Sequence, residues 1–455
     1  MPSGLRKAGR FVEKLLGAEV RPGEWHLVLL FFANLCLLLG AYYILKVIRE
    51  PLILLEGGAV ERSYARGLQA GLLLVLIPAY GYVSDRFEPA RLVKWIMVIF
   101  VVCVAGFVVL GQAGVPVGFA FFVWLGIFST VSIAQFWSLA TDVLTESEGK
   151  RLFPIVAAGG TLGGIGGAQL AARMIDGRPH QLMLLAAALL VSCALLTHIT
   201  HDAALVHRAR IPHDSSQERD ARGGLALVLH DRYLLLIAAS VVILNFINTT
   251  GDFVLAQVVS HQASALPSKA LAQHFIASFY GNLQAWVAVL TSFVQIFLVA
   301  RVFNKVGVGA SLIFLPAFVL LGYGAAAALP VLSLVAAVKV GQDSAEYSLQ
   351  NTTQQALFLR TSRDAKYKAK AAIDTLFMRL GDLASTGVIF LGTRLGVGVK
   401  GYALLNVALA IAWLAVALQL RNRISHTPSG GARTASDAAA EPARSESSCS
   451  AWAEP

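Results

Sequence analysis

Apolar residues fall in long runs separated by short polar stretches over almost the whole chain. A helix needs about 20 mostly apolar residues to cross the hydrocarbon core of a bilayer. That window finds twelve segments: roughly 25–55, 66–84, 92–111, 117–141, 152–174 and 181–200, then 233–258, 280–300, 308–328, 330–358, 370–394 and 399–420. The pattern predicts an all-α membrane protein, twelve transmembrane helices in two six-helix bundles. It divides the chain into an N-terminal segment 1–24, a bundle 25–200, a polar linker 201–232, a second bundle 233–420 and a tail 421–455. The tail is rich in Ser, Ala, Pro and Glu without apolar periodicity, and is expected to be disordered. In residues 5–16, Leu5, Val12, Leu15 and Leu16 fall near one side of a helix. That suits either a short interfacial helix or a frayed basic tail.

Composition narrows the class. Of 455 residues, 56% are apolar and 14% charged, against about 25% charged in soluble domains. A cytosolic enzyme, a disordered protein and a secreted disulfide scaffold are excluded. A net charge of +10 would raise nucleic acid as a partner of a soluble protein. In a polytopic membrane protein, Lys and Arg instead hold loops on the cytoplasmic side. With an even number of spans both termini share one side, and most of the 37 basic residues fall there. The opposite loops would hold only Arg62, Arg66, Arg173, Arg178, Lys269, Arg394 and Lys400. The expected location is the cell inner membrane, with both termini cytoplasmic and no nucleic-acid partner. Cys36, Cys103, Cys193 and Cys449 lack metal or CxxC spacing, so no metal or cofactor is expected. No GxxxxGK[ST], HExxH or GxSxG pattern occurs, which argues against an ATP-driven pump or an embedded enzyme.

Ionisable residues inside a span cost several kcal/mol and need a reason. Helix 1 carries YYILKVIREPLILL, with Lys46, Arg49 and Glu50 beside the kink-forming Pro51. This group suits an anion site with an internal counterion, or snorkelling to the outer interface. Helix 10 carries Lys339, Asp343 and Glu346 at i, i+4 and i+7, one face that must line a cavity or pack inward, or else a self-neutralising structural pair of Lys339 with Asp343. Helix 11 holds Asp374, Arg379 and Asp382, and helix 7 holds Asn245, Asn248, Thr249 and Asp252 along one stripe. Either set could line a cavity or act as interhelix glue. Helix 4 offers Ser132, Gln135 and Asp142. Helix 5 reads AAGGTLGGIGGAQLAA, whose GxxxG steps permit close helix approach.

Six plus six spans around a central loop is the layout of major facilitator transporters. GYVSDRFEPAR (Gly81 to Arg91) follows helix 2 and resembles the G-x-x-x-D-R loop of that superfamily. Asp85 and Arg86 would latch the cytoplasmic gate there. Three longer stretches resemble the bacterial and plastid ADP/ATP translocases: ExxxxLLFFANLCLLLGAYYILKVIREPLIL, AQFWSLATDVLTESEGKRLFPIVAAGGTLGG and EYSLQNTTQQALFLRTSRDAKYKAKAAIDTLFMRLGD. The resemblance implies a major facilitator-like fold and exchange of nucleotides or related anions by alternating access. It implies that Arg49 and Glu50 match the family's base–acid pair late in helix 1, and Lys368 and Lys370 its KxK before helix 11.

The chain departs from the family at several points. Leu125 and Gly126 stand where an acid is usual in helix 4, and Gly251, beside Asp252, stands at the acid of helix 7. Glu346 replaces a base, and Asn351, Gln354 and Gln355 replace charges. Counting spans alone gives four bases (Lys46, Arg49, Lys339, Arg379) against six acids (Glu50, Asp252, Asp343, Glu346, Asp374, Asp382). The anion-exchange reading puts Lys46 and Arg49 on phosphate, with helices 1, 4, 7 and 10 lining the cavity. The acid excess supports an alternative, proton-coupled transport of another small solute. A non-transporting membrane scaffold is the third reading.

Overall fold

The computed structural model describes residues 21, 24–84, 89–144, 146–175, 179–208, 224–358, 361 and 368–426. Its long elements are all helices. The first half contains α1 (Trp25–Glu56), α2 (Gly58–Ser84), α3 (Pro89–Gln112), α4 (Gly118–Val143), α5 (Glu146–Met174) and α6 (Pro179–Arg208). A short helix, Gly224–His230, precedes the second half. That half begins with α7 (Arg232–Ser264) and α8 (Lys269–Phe293); α8 passes through a π turn (Val294–Leu298) into α9 (Val299–Ala328). The helix α10 comprises Leu332–Ala345, a π turn Glu346–Gln350 and Asn351–Phe358; α11 comprises Lys370–Ala372, a π turn Ile373–Phe377 and Met378–Arg394. Last comes α12 (Val399–His426).

Ten helices among the described residues are long and apolar enough to cross a membrane. The other two long segments, α2 and α10, carry buried charge in their length: Arg62 on α2, and Lys339 and Asp343 on α10. The outer surface is apolar: Val102, Leu195, Trp286 and Leu321 are all more than 60% exposed. In water such a surface would aggregate; in lipid it is the solvated side. This is a multi-pass membrane protein.

Several boundaries differ from the sequence reading. Positions 58–65, taken as loop, form the first turns of α2, because the Gly57–Gly58 turn (Gly58 φ 69°) reverses the chain at once after α1. The sixth helix runs on to Arg208 and the twelfth to His426. The N-terminal stretch 5–16, the loop bearing Asp85 and Arg86, residues 209–223 and the tail from 427 lie outside the described residues.

The face of the molecule where α1 starts and α12 ends is called the near face, and the opposite one the far face. Each half has its own apolar core. In the first, Phe31, Leu38, Ile44, Phe121, Phe128 and Leu152 are fully buried. In the second, Leu315, Val319, Tyr323 and Trp413 play the same part. A third cluster belongs to both halves: Ile53, Leu54 and Phe122 pack with Phe253, Ile276, Tyr280 and Ile389. Gly67 faces Thr386, Gly71 faces Leu383, and Gly281 faces Ala168 and Ala172. Gln169 Nε2 donates to Asn282 Oδ1 at 3.2 Å, and Ser278 Oγ to Ala172 O at 3.2 Å. These interhalf contacts gather toward the far face.

Two details fix the first half. Glu56, last in α1, accepts from the Val117 and Gly118 N–H groups at 3.3 and 2.6 Å, so one helix end caps the start of α4. At the near face Arg151 of α5 donates to both carboxylate oxygens of Glu24 at 3.2 and 3.0 Å. Burial raises the Glu24 carboxyl, but the Arg151 guanidinium and the Arg21 N–H outweigh it and hold the pKa below the usual value.

The glycine steps of α5 do what small residues do in membranes. A Cβ at Gly163 would strike the main chain of Cys36, and one at Gly167 the main chain of Gly40. The α1–α5 contact is therefore backbone to backbone, and it sets where Lys46 and Arg49 stand. Gly163→Leu is expected to cost at least about 1–3 kcal/mol, the usual range for overpacking. A lower melting temperature of the detergent-solubilised variant would confirm this; an unchanged one would refute close approach at this position.

Candidate functional site

A polar cavity of about 200 Å³ lies between the halves, under the shared apolar cluster. From the first half it is lined by Tyr42, Lys46, Arg49 and Glu50 of α1, by Arg62, Arg66 and Gln69 of α2, and by Phe122 of α4. From the second half come Asn248, Asp252 and Leu255 of α7, Tyr280, Leu283 and Gln284 of α8, Lys339, Asp343 and Tyr347 of α10, and Arg379 and Asp382 of α11. Helix 4 thus adds only Phe122, while α2, α8 and α11 contribute more than the sequence reading gave them. Ser132 and Gln135 of α4 are buried away from the cavity. Asp374 lies toward the near end of α11, 3.3 Å from Gln354 Nε2. Glu346 is not part of the lining but bonds to it through Asn248.

Almost every charge is tied to another. Glu50 is 2% exposed and lies between two guanidiniums: Arg49 Nη2 at 2.5 Å and Arg62 Nε at 2.7 Å. Both guanidiniums rest on the Phe122 ring, at 4.1 and 5.6 Å from its centroid. Pro51 follows directly, inside α1, and cannot donate a backbone N–H to the preceding turn. Lys339 Nζ lies 2.7 Å from Asp343 and 3.0 Å from Asp252, and donates to Asn248 Oδ1 at 3.0 Å. Asn248 Nδ2 in turn donates to Glu346 at 2.5 Å, and Gln342 donates to Asn248 Oδ1 at 2.6 Å. Arg379 pairs with Asp382 at 3.3 Å, which also accepts from Thr249 Oγ1 at 2.7 Å. Arg66 joins the halves, bonding Asp252 and lying 3.6 Å from Asp382.

Lys46 is the exception. Its Nζ donates to Gln284 Oε1 at 3.0 Å and stands over the Tyr42 and Tyr43 rings, 5.8 and 5.1 Å from their centroids. Among the described residues it has no carboxylate partner within salt-bridge distance. Arg379 Nε is likewise a buried donor without a partner.

The charge balance of the lining corrects the sequence count. Six cations (Lys46, Arg49, Arg62, Arg66, Lys339, Arg379) face four acids (Glu50, Asp252, Asp343, Asp382). The cavity is cationic, where the spans alone suggested an acid excess. Two changes make the difference: Arg62 and Arg66, which the sequence reading had placed in an outer loop, join the lining, and Glu346 and Asp374 lie outside it. Arg62 is 5% exposed and Arg66 bridges the halves. The signal of the two arginines was present: Arg62, Arg66 and Gln69 sit at i, i+4 and i+7, one helical stripe. The hydropathy window missed it because the charges sit in the first turns of the helix.

Comparison with known proteins finds similarity in sequence and in fold. ADP,ATP carrier protein 1 of Chlamydia trachomatis serovar D is 23% identical over 333 residues, 63% of this chain and 61% of that protein. ADP,ATP carrier protein 1 of Chlamydia muridarum is 23% identical over 349 residues, 66% of this chain and 64% of that protein. The chain is related to ADP,ATP carrier proteins. It spans somewhat under two thirds of the length of these curated relatives. No family model matches it. Among solved structures, a bacterial homologue of the iron transporter ferroportin, in an inward-facing state, superposes with a TM-score of 0.66 at 13% identity, covering 88% of this chain and all of that one. The nucleoside transporter NupG superposes with a TM-score of 0.60 at 14% identity, covering 89% and 99%. The fold is that of major facilitator-type transporters.

The Glu50 triad gives a stability prediction. Removing one partner of a buried charge cluster costs about 3–5 kcal/mol, because the others are left uncompensated. Glu50→Gln should lower the melting temperature strongly, and adding Arg62→Gln should recover part of the loss. A double-mutant cycle on the purified protein measures this; simple additivity would mean the triad is not a coupled unit.

Proposed function

We propose that this chain is a membrane transporter of ADP/ATP-translocase type, exchanging nucleotides or related phosphate-bearing anions by alternating access. The observation that carries the reading is the cationic cavity at the interface of the two halves, with Lys46 free of any carboxylate among the described residues. A site for polyphosphate needs a surplus of positive donors, and this lining has one. The relationship to ADP,ATP carrier proteins supports nucleotide as the anion.

In this reading all twelve long helices cross a bacterial inner membrane, with both termini in the cytoplasm as the Lys and Arg distribution favours. The near face is then cytoplasmic, and the protein is closed toward the outside by the shared apolar cluster. Phosphates sit on Lys46, Arg49 and Arg379, while Asp252, Asp343 and Asp382 orient the cations and restrict which anions fit. The free space is smaller than the roughly 300–1,000 Å³ of typical ligand pockets. The phosphate end fits it, and the nucleoside extends toward the near face past Tyr347, which is 55% exposed.

One observation favours a second reading. Glu346 has an amide partner, Asn248, and no cation in salt-bridge range among the described residues. Such a carboxyl can carry a proton, which fits proton-coupled transport of a different solute. Nucleotide uptake that persists with a protonophore separates the two.

The direct test is uptake of labelled ATP into ADP-loaded proteoliposomes. Lys46→Ala should reduce the rate by at least about tenfold, the effect of one lost charge-assisted contact, with insertion and melting temperature unchanged. A Lys46→Ala protein that exchanges ATP at the wild-type rate would contradict the assignment.

A further inference from the structure

The two halves do not share the charge of the cavity evenly. The first half contributes Lys46, Arg49, Arg62 and Arg66 against Glu50 alone, a surplus of three positive charges. The second contributes Asp252, Asp343 and Asp382 against Lys339 and Arg379, a surplus of one negative charge. Among the described residues, the ion pairs that cross between the halves both run through one side chain, Arg66. It bonds Asp252 of α7 and approaches Asp382 of α11.

The partners of Arg66 do not need it. Asp252 keeps Lys339 at 3.0 Å, and Asp382 keeps Arg379 at 3.3 Å and Thr249 at 2.7 Å, all within the second half. Arg66 has no such reserve. The one acid that its own half brings to the lining, Glu50, is occupied by Arg49 and Arg62. If the halves part at the far face, the acids remain satisfied and Arg66, whose side chain is 26% exposed, is left without a countercharge. A partly buried cation that loses its partners is unfavourable until an anion reaches it.

We propose that Arg66 is an occupancy-sensing latch. In the empty carrier Asp252 and Asp382 hold it as stand-ins for phosphate, and the halves stay joined beneath the apolar cluster. A substrate phosphate anchored on the first half displaces the two carboxylates from Arg66, and the far face is then free to open. The proposal rests on the nucleotide-anion reading above and adds what that reading lacks, a link between occupancy and reorientation. A ligand shifts a conformational equilibrium only through its difference in affinity for the two states; here that difference resides in Arg66. Each terminal phosphate carries about −1.5 to −2 charges near neutral pH. A di- or triphosphate chain therefore offsets the first half's surplus, and an uncharged nucleoside does not. An empty carrier that cannot reorient exchanges one anion for another and does not leak.

The test uses the full chain in liposomes, in a cysteine-free background, spin-labelled at Glu61→Cys on α2 and Val397→Cys after α11. Both positions are exposed near the far face. Distance distributions are recorded with and without ATP. The latch predicts one short distance for the ATP-free parent and a longer population once ATP is added. It predicts that Arg66→Gln shows the longer population without ATP, raised at least about fivefold, the lower end of typical coupling factors. Asp252→Asn with Asp382→Asn should do the same, so the result does not depend on one variant folding. Loss of exchange coupling should follow, with Arg66→Gln liposomes releasing preloaded ATP into nucleotide-free buffer. If folded ATP-free Arg66→Gln and the double variant keep the parent's short distance, the latch is wrong. If ATP stabilises the parent thermally but never lengthens its distance, the latch is wrong and the nucleotide reading stands. If ATP fails to stabilise the parent, the nucleotide reading falls, and the ATP-free comparison still decides the latch.

Discussion

A charge buried inside a membrane protein must be neutralised by something, and this structure depends on how that is done between its two halves. Ten charged side chains line the cavity, and protein partners account for most of them. What remains is a positive surplus held mainly by α1 and α2. That surplus is expensive in a medium of low dielectric. In the proposed function that surplus is there to receive an anion; the acids of the second half offset part of it. Fold and function thus meet at one constraint: the halves attract each other through the same side chains that would receive substrate.

The scaffold serves this arrangement at several levels. Glycines on α5 let α1 pack backbone to backbone, so Lys46 and Arg49 sit at a fixed depth. The abrupt Gly57–Gly58 turn starts α2 at once and turns Arg62 and Arg66 inward. Phe122 supplies a ring under Arg49 and Arg62, which keeps two cations close to one carboxylate. On the other side, π turns interrupt α10 at Glu346–Gln350 and α11 at Ile373–Phe377. Such turns cluster at functional sites because they redirect side chains and weaken the local ladder. Both lie toward the near face from the charged layer, where an alternating-access cycle needs helices to bend.

The helical architecture was legible because bilayer thickness imposes a length and an apolarity that composition cannot disguise. Lys339 and Asp343 were legible for the opposite reason, since charge in an apolar run needs a partner. Arg62 and Arg66 were not, because the first turns of a helix after a tight turn read as loop to a hydropathy window. Adding them, and leaving out Glu346 and Asp374, turns an acid excess into a cation excess. Asp374 erred in the other direction, lying in a span by sequence but away from the cavity in space. Helix membership follows from local pattern, whereas a sum of charges in one cavity follows from packing.

The central claim is that the cavity recognises charge on phosphate. The most direct measurement is thermal stabilisation of the purified protein by adenosine, AMP, ADP and ATP at equal concentration, with magnesium controls. A ligand that binds only the folded state must raise the melting temperature. The account predicts no shift with adenosine and a shift that grows with phosphate number. Equal stabilisation by adenosine and ATP would contradict it, because the cationic surplus would then have no part in binding.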